Sequence, residues 1–118
     1  MEATLSLNLV VLRAQDPEAV CRFYEALGMS FSRERHGTGP LHHACDLGGS
    51  VLEIYPRRGD EPSTTGARLG FTVPSLDAAL SALRAKNALI VREPTASARR
   101  AVVSDPEGHR VELVEHEH

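Results

Sequence analysis

The sequence has few aromatic side chains, few cysteines and no long apolar run. Aromatic residues make up 4% of the 118 residues, and tryptophan is absent. Uninterrupted apolar runs reach only four residues, as in Leu9–Leu12, whereas a membrane-spanning helix needs about 20. Two cysteines, Cys21 and Cys45, are too few for a disulfide framework and indicate free thiols in a reducing compartment. We therefore expect a cytoplasmic protein that does not enter a membrane.

Positive charge is also scarce. The chain has 13 Lys and Arg against 16 Asp and Glu, which gives a net charge of −3. Because no basic surplus is available to neutralise phosphates, we expect no nucleic-acid partner. The 42% apolar and 25% charged residues are otherwise those of an ordinary soluble protein. A chain of this length buries roughly two-thirds of its unfolded surface on folding, enough for one domain with a hydrophobic core.

The two halves of the sequence repeat with an offset of 59 residues, the separation of Glu53 from Glu112. The residues that coincide include helix N-cap types, residues that take the left-handed conformation after a helix, and turn glycines: Asp16 with Ser75, Gly28 with Asn87, and Gly49 with Gly108. This coincidence predicts two modules of like structure, residues 1–56 and 67–118. The Pro- and Gly-containing segment 57–66 is the predicted linker within a single domain of 118 residues.

Each half predicts the same order of elements, βαβββ. In the first half the predicted elements are a strand at 5–13, a helix at 17–27, and strands at 31–35, 41–47 and 51–56. In the second half they are a strand at 68–73, a helix at 76–86, and strands at 89–92, 99–104 and 109–115. One such module leaves a sheet face bare, so two modules must pair within a chain or between chains.

Three segments of the chain, FYEALGM at 23–29, VLEIYP at 51–56 and DPEGHRVEL at 105–113, resemble the vicinal oxygen chelate superfamily. This superfamily contains glyoxalase I, the bleomycin and fosfomycin resistance proteins and the extradiol dioxygenases. The resemblance implies an α+β fold in which two βαβββ modules form an eight-stranded curled sheet, or cup, with the helices on the outside. It also implies a small-molecule ligand inside the cup and a homodimer.

Alternation along the strands assigns side chains to the two faces of such a sheet. Leu52 and Ile54 are apolar and should meet a helix, so Glu53 and Tyr55 should look into the cup. The same alternation places Glu112 in the cup in the second half. These residues are therefore candidate ligand-binding residues.

The predicted hairpins add two side chains to the cup. If Leu47 pairs with Ser50 across the Gly-Gly turn, His42 lies opposite Tyr55 and shares its face. A similar count along the second hairpin places Arg99 in the cup as a candidate anion site. The HGTGP segment at 36–40 resembles a phosphate loop, but no helix follows it. We interpret that segment as a strand connection at the cup mouth, and as a candidate ligand rim.

The resemblance also implies where a divalent metal would bind. Metal-dependent members hold the ion with two carboxylates, late in each module, and two further residues, usually His, on the first strand of each module. Glu53 and Glu112 match the carboxylates, but the other two positions fall on Leu9 and Arg68. Leu has no ligand atom, and Arg keeps its proton. We therefore expect no metal cofactor, and we expect Arg68 to replace the ion between the two carboxylates.

Two functions from different classes remain open. The first is a non-catalytic small-molecule-binding protein whose candidate ligand-binding residues are His42, Glu53, Tyr55, Arg68, Arg99 and Glu112. The alternative is a metal-dependent lyase, isomerase or dioxygenase with a non-standard metal site of His42, Glu53 and Glu112 and an open coordination position. The low aromatic content argues against a flat cationic drug as the ligand of the first. The missing pair of metal ligands favours the first function.

Overall fold

The computed structural model, which describes residues 4–117, contains eight strands and two helices in the predicted order. The first half comprises β1 (Leu9–Ala14), α1 (Pro17–Glu25), β2 (Ser32–Glu34), β3 (His42–Asp46) and β4 (Val51–Pro56). The second half comprises β5 (Arg68–Val73), α2 (Leu76–Ala85), β6 (Leu89–Arg92), β7 (Arg100–Ser104) and β8 (Arg110–Glu115). The prediction of two βαβββ modules is confirmed. No helix in residues 4–117 has the length and apolar character needed to cross a membrane.

The strands form two four-stranded sheets with the same topology. The strand order is β1-β4-β3-β2 in the first sheet and β5-β8-β7-β6 in the second. In each sheet the first strand runs parallel to the last strand of its module, and the other neighbours are antiparallel. The two sheets and two helices therefore correspond to two paired modules that form a curled, unclosed sheet. One consequence is that β1 and β5 are both edge strands.

The two helices begin where predicted and end two residues and one residue earlier than predicted, at Glu25 and Ala85. The carboxylate of Asp16 accepts a hydrogen bond from the backbone of Ala19, and Ser75 does the same for α2. Beyond the helices, Gly28 has φ 107° and Asn87 has φ 59°. Asn tolerates this left-handed conformation better than most residues with a side chain, so it can replace Gly there.

The helix sides of both sheets are buried in one hydrophobic core. Leu52 and Ile54 in β4, and Val111 and Leu113 in β8, are at most 1% exposed. These residues belong to a single cluster that also contains buried residues of α1 and α2. The predicted helix-facing set is therefore confirmed. We call the opposite face of the first sheet the module-one face and that of the second sheet the module-two face.

The first strand is shorter than predicted. Strand β1 begins at Leu9 rather than at residue 5, and the side chains of Leu5 and Leu7 are 87% and 70% exposed. Pairing with β4 starts at the carbonyl of Asn8, which accepts a hydrogen bond from the backbone N–H of Val51 at 2.8 Å. Because Val51 begins β4, the preceding residues have no neighbouring strand within the described chain.

A buried polar network joins the two modules and the linker. The hydroxyl of Tyr24 in α1 donates a hydrogen bond to Asp105 Oδ2 at 2.9 Å, and His109 Nδ1 lies 2.8 Å from the same oxygen. On its other side, His109 Nε2 lies 2.7 Å from the hydroxyl of the linker residue Thr64. Asp105 Oδ1 accepts three backbone N–H groups of the turn between β7 and β8. This turn is therefore fastened to α1 and to the linker at once.

The network shifts the pKa values of its members in opposite directions. Burial, together with the charge and hydrogen bond of Asp105, raises the pKa of Tyr24 far above its usual range. Burial also acts to raise the pKa of Asp105, but the hydrogen bonds and charge of His109 and the hydrogen bond from Tyr24 outweigh it. The pKa of Asp105 therefore lies below its ordinary value. Asp105 is an ionised acceptor and Tyr24 a neutral donor at neutral pH.

Candidate functional site

The module-one face carries a shallow depression of about 510 Å³. Its lining includes Leu9 of β1, Ser32 and Glu34 of β2, His36 of the following loop, and Glu53 of β4. Glu53 lies in the central part of β4, between the buried residues Leu52 and Ile54, so alternation turns its carboxylate toward this face. The predicted orientation of Glu53 agrees with this position.

Three rings stack beside the depression. The His42 ring lies on the Tyr55 ring with centroids 4.2 Å apart and an interplanar angle of 7°. On its other side lies the His36 ring, at 5.0 Å and 29°. His42 and Tyr55 come together because Leu47 pairs with Ser50 across a two-residue turn and Ala44 pairs with Glu53. This is the register that the sequence predicts.

The imidazole of His42 is buried, with 1% exposure, and its two nitrogens have different surroundings. Nδ1 lies 3.3 Å from the carbonyl oxygen of Pro40, to which it can donate a hydrogen bond. Nε2 is shielded from solvent and makes no hydrogen bond. Carboxylate oxygens of Glu53 and Glu34 lie 3.5 Å and 3.7 Å from it. His42 therefore presents an unpaired nitrogen to two acidic side chains.

Glu34 and His36 complete a group that the sequence analysis did not predict. His36 Nε2 lies 3.6 Å from Glu34 Oε1, and one ligand atom from each of Glu34, His36, His42 and Glu53 lies within 4.8 Å of the other three. We call these four residues the module-one cluster. Glu34 pairs with His42 between β2 and β3. A strand of three residues is too short to show alternation, so this pairing could not be predicted from the sequence.

Glu112 lies in a different environment on the module-two face. Its Oε2 is 3.4 Å from Arg100 Nη1 and 3.9 Å from Arg68 Nη2. Arg68 thus pairs with one predicted carboxylate but not with Glu53, whose ionic contact among the described residues is His42. The expected bridge from Arg68 to both carboxylates is wrong within one chain. The side chain of Arg68 is 60% exposed, so water already screens this pair.

The alternative metal set of His42, Glu53 and Glu112 is likewise not assembled within the chain. Glu112 is absent from the only cluster of metal-ligating side chains found in residues 4–117, in which Glu34 and His36 join His42 and Glu53. The reason is topological, because each carboxylate occupies the middle of its own four-stranded sheet. The repeat therefore places Glu53 and Glu112 at equivalent positions without bringing them into contact in one chain.

The predicted orientation of Arg99 is also wrong. Its Nη2 lies 3.2 Å from Asp77 in the first turn of α2 and 3.8 Å from Glu115, so Arg99 reaches the helix side. The predicted turn has four residues, 105–108, whereas in the structure Asp105 pairs with His109 and closes a turn of three. A one-residue shift reverses the faces of a strand. Arg100 consequently takes the position on the module-two face.

Comparison with known proteins agrees with this architecture. The family model of the glyoxalase/bleomycin resistance protein/dioxygenase superfamily matches residues 6–113. No curated protein matches the chain by sequence. The match spans both modules, including Glu53 and Glu112.

Solved structures with similar folds include a binding protein and two enzymes. TnmS3, an antibiotic-binding protein from Streptomyces sp. CB03234, is 20% identical with a TM-score of 0.74, over 99% of this chain and 100% of that one. The trypanothione-dependent glyoxalase I of Leishmania major is 20% identical with a TM-score of 0.76, over 95% and 87%. The oxidase ChaP-H2 is 20% identical with a TM-score of 0.68, over 98% and 97%. The chain belongs to the glyoxalase/bleomycin resistance protein/dioxygenase superfamily.

Proposed function

We propose that this protein binds a small molecule on the module-one face and does not use the four-ligand metal centre of its metal-dependent relatives. The observation that carries this proposal is the pair Leu9 and Arg68, which occupy the positions where those relatives have metal ligands. Leu9 offers no ligand atom, and the Arg68 guanidinium stays protonated and cannot coordinate a metal ion. Similarity to an antibiotic-binding protein supports the binding role at the level of the fold.

The chemistry of the module-one face indicates the class of ligand. Tyr55, half-buried with its ring stacked on buried His42, offers an aromatic surface, and Glu53 and Glu34 offer carboxylate acceptors beside it. The guanidinium carbon of Arg13 lies 5.5 Å from the centre of the Tyr55 ring and borders the same surface. A polar ligand with hydrogen-bond donors or a positive charge, and a small planar part, fits these groups.

We further propose that the protein is a homodimer, as the resemblance to the superfamily implies. Both β1 and β5 are edge strands, exposed Leu9 begins β1, and exposed Leu5 and Leu7 precede it. Pairing of module one with module two of a second copy would cover this edge. It would also bring Glu112, Arg68 and Arg100 of the second copy toward the ligand as a charged wall.

Binding can be tested with a set of polar aromatic amines, by thermal shift and then by ligand-observed NMR. We expect at least one compound to bind and to remain chemically unchanged over hours. Tyr55→Ala should abolish binding, whereas Val114→Ala at the equivalent position in module two should retain it. Equal binding by both variants would contradict the proposed face. Turnover of a bound compound would instead favour the enzyme alternative.

The enzyme alternative is supported by one specific observation, the unpaired Nε2 of His42 beside two carboxylates. A lyase or isomerase needs a group that takes up and returns a proton, and imidazole suits that role. The same turnover assay, repeated with added divalent metal, tests this alternative directly.

A further inference from the structure

We propose that the module-one cluster, Glu34, His36, His42 and Glu53, binds a Zn²⁺ ion. Two imidazoles and two carboxylates are ligands that zinc accepts in proteins. The four side chains come from β2, the loop after it, β3 and β4, so a single module supplies the whole site. Only Glu53 coincides with a metal-ligand position implied by the superfamily resemblance. The proposed site is therefore distinct from that centre.

The spacing of the ligand atoms fits tetrahedral coordination. Metal–ligand bonds of 2.0–2.2 Å to zinc set neighbouring ligand atoms of a tetrahedron about 3.4 Å apart. The observed separations are 3.5 Å from His42 to Glu53, 3.7 Å from His42 to Glu34, and 3.6 Å from His36 to Glu34. The remaining pairs lie within 4.8 Å. Inward movement of exposed His36 and of the Glu34 and Glu53 carboxylates would bring the remaining pairs to the tetrahedral spacing.

The buried His42 nitrogen is the second, independent indication of a bound cation. Its Nε2 has no hydrogen-bond partner although the side chain is 1% exposed. Leaving a buried polar atom unsatisfied is costly, and such atoms are rare in folded proteins. With Nδ1 donating to the carbonyl of Pro40, Nε2 carries a lone pair and lies 3.5 Å from Glu53 and 3.7 Å from Glu34. A metal ion satisfies that lone pair.

Surrounding groups hold the ligands in the orientation that a metal requires. The Pro40 carbonyl fixes the tautomer of His42, and the Tyr55 ring fixes its plane. The hydroxyl of Ser32 donates a hydrogen bond to Glu34 Oε2 at 3.2 Å. This leaves Oε1 of Glu34 facing both histidines. Two of the four ligands therefore have outer-shell partners before any ion binds.

Zinc at this position would have a structural consequence. Strand β2 is three residues long and lies at the edge of its sheet, and His36 lies in the loop that follows. The ion would fasten this edge and loop to β3 and β4. Its charge of +2 would balance the two carboxylates, with both imidazoles neutral, and a small molecule on the module-one face would then contact the ion in place of free carboxylates. His36 is 71% exposed at its side chain, so the ion can enter from solvent.

The test is calorimetric titration of Zn²⁺ into the full-length protein after chelator treatment. We expect one Zn²⁺ per chain and a higher melting temperature when zinc is bound. Glu34→Gln and His36→Asn should each weaken binding by more than the roughly 10–100-fold that loss of an outer-shell partner causes. Glu93→Gln, at the repeat equivalent of Glu34, changes an exposed carboxylate outside the module-one cluster; it is the matched control and should leave zinc binding unchanged. With Co²⁺ as a probe, the wild-type protein should give the intense visible absorption of tetrahedral cobalt.

Because His42 is buried, zinc binding by His42→Gln is interpreted only if circular dichroism shows a folded protein. The conclusion rests on Glu34→Gln and His36→Asn, which change more exposed side chains. A second control replaces His116 and His118 with Gln to remove chelation by the end of the chain. Absence of zinc binding in the wild type would overturn the site. So would wild-type affinity in both Glu34→Gln and His36→Asn, or loss of binding in the terminal-histidine variant.

Discussion

Tyr24 and Asp105, 81 residues apart, are joined by a 2.9 Å hydrogen bond in which the phenol donates to the carboxylate. Both side chains are buried, with 0% and 3% exposure. The bond fastens α1 of module one to the β7–β8 turn of module two. If the turn shifted relative to α1, this buried charged oxygen would lose one of its two hydrogen-bond partners, so the contact stabilises the relative position of the two modules.

Tyr24→Phe should lower the free energy of unfolding by about 1.5–3 kcal/mol, the usual contribution of a hydrogen bond to a charged group. Ring packing is retained, since Phe keeps the contacts with Phe23 and Phe71. Urea denaturation measures the change. Tyr55→Phe is the matched control, because the Tyr55 hydroxyl makes no hydrogen bond among the described residues. Equal loss in both variants would contradict the role of the inter-module bond.

Asp105 should make stability depend on pH in the acid range. Its pKa in the folded protein lies below the ordinary value of 3.8, which unfolded chains have. Stabilisation by this carboxylate is therefore complete above about pH 4 and is lost as pH falls through the lower, folded pKa. Asp105→Asn removes this contribution. The stability difference between wild type and variant should be largest near pH 6 and should narrow as pH falls below 4 in denaturation series. A constant difference would contradict the shift.

The orientation of Glu53, His42 and Tyr55 could be predicted because two local signals agree. Alternation assigns Glu53 and Tyr55 to one face, and a two-residue Gly-Gly turn fixes the partner of each residue. The 59-residue offset then transfers the element bounds to the second module. Periodicity and turn length depend on residues that are close together in the sequence, so these orientations can be predicted without knowledge of tertiary contacts.

The remaining features depend on contacts that the sequence does not encode locally. The predicted face of Arg99 is wrong because the second turn has one residue fewer than predicted, and a Gly108 φ of 113° accommodates the tighter turn. The module-one cluster could not be predicted because β2 is too short to show an alternating pattern of side chains. The superfamily resemblance and the repeat imply that Glu53 and Glu112 share one site, but a repeat fixes equivalent positions and not proximity.

Arg68→Ala should change stability little. In the Arg68–Glu112 pair, separated by 3.9 Å, the side chains are 60% and 31% exposed, and Arg100 lies closer to the same carboxylate. Exposed pairs of this kind contribute about 0–1 kcal/mol. We expect a change within that range by chemical denaturation at pH 7, and Arg110→Ala on the same sheet serves as the control. A loss of several kcal/mol for Arg68→Ala alone would show that Arg68 neutralises buried carboxylates after all.

The Cys21 thiol should be unreactive in the folded protein. Burial, with the nearby carboxylates of Glu18 and Glu25, raises its pKa to about 12, so almost no thiolate exists at neutral pH. Cys45 is also buried. We expect a disulfide reagent to label neither thiol at pH 8 until denaturant is added. Mass spectrometry identifies the labelled residue, and rapid labelling of Cys21 without denaturant would contradict its placement.

Assembly through the β1 edge can be tested by charge substitution at an exposed leucine. Light scattering of the wild-type protein at micromolar concentration should give twice the chain mass of 12.8 kDa. Leu7 is 70% exposed beside the edge strand β1. Leu7→Lys would place an ammonium group in the proposed interface, where desolvation is unfavourable, and should shift the protein toward monomer.

The matched control for this last prediction is Leu89→Lys. Leu89 is 61% exposed and begins β6, the edge strand at the far side of the second sheet. It resembles Leu7 in residue type and exposure, but it lies away from the β1 and β5 edges that the proposed dimer pairs. A dimer that survives Leu89→Lys and dissociates in Leu7→Lys supports pairing through β1. A monomeric wild type, or dissociation by Leu89→Lys alone, would show that the proposed pairing is wrong.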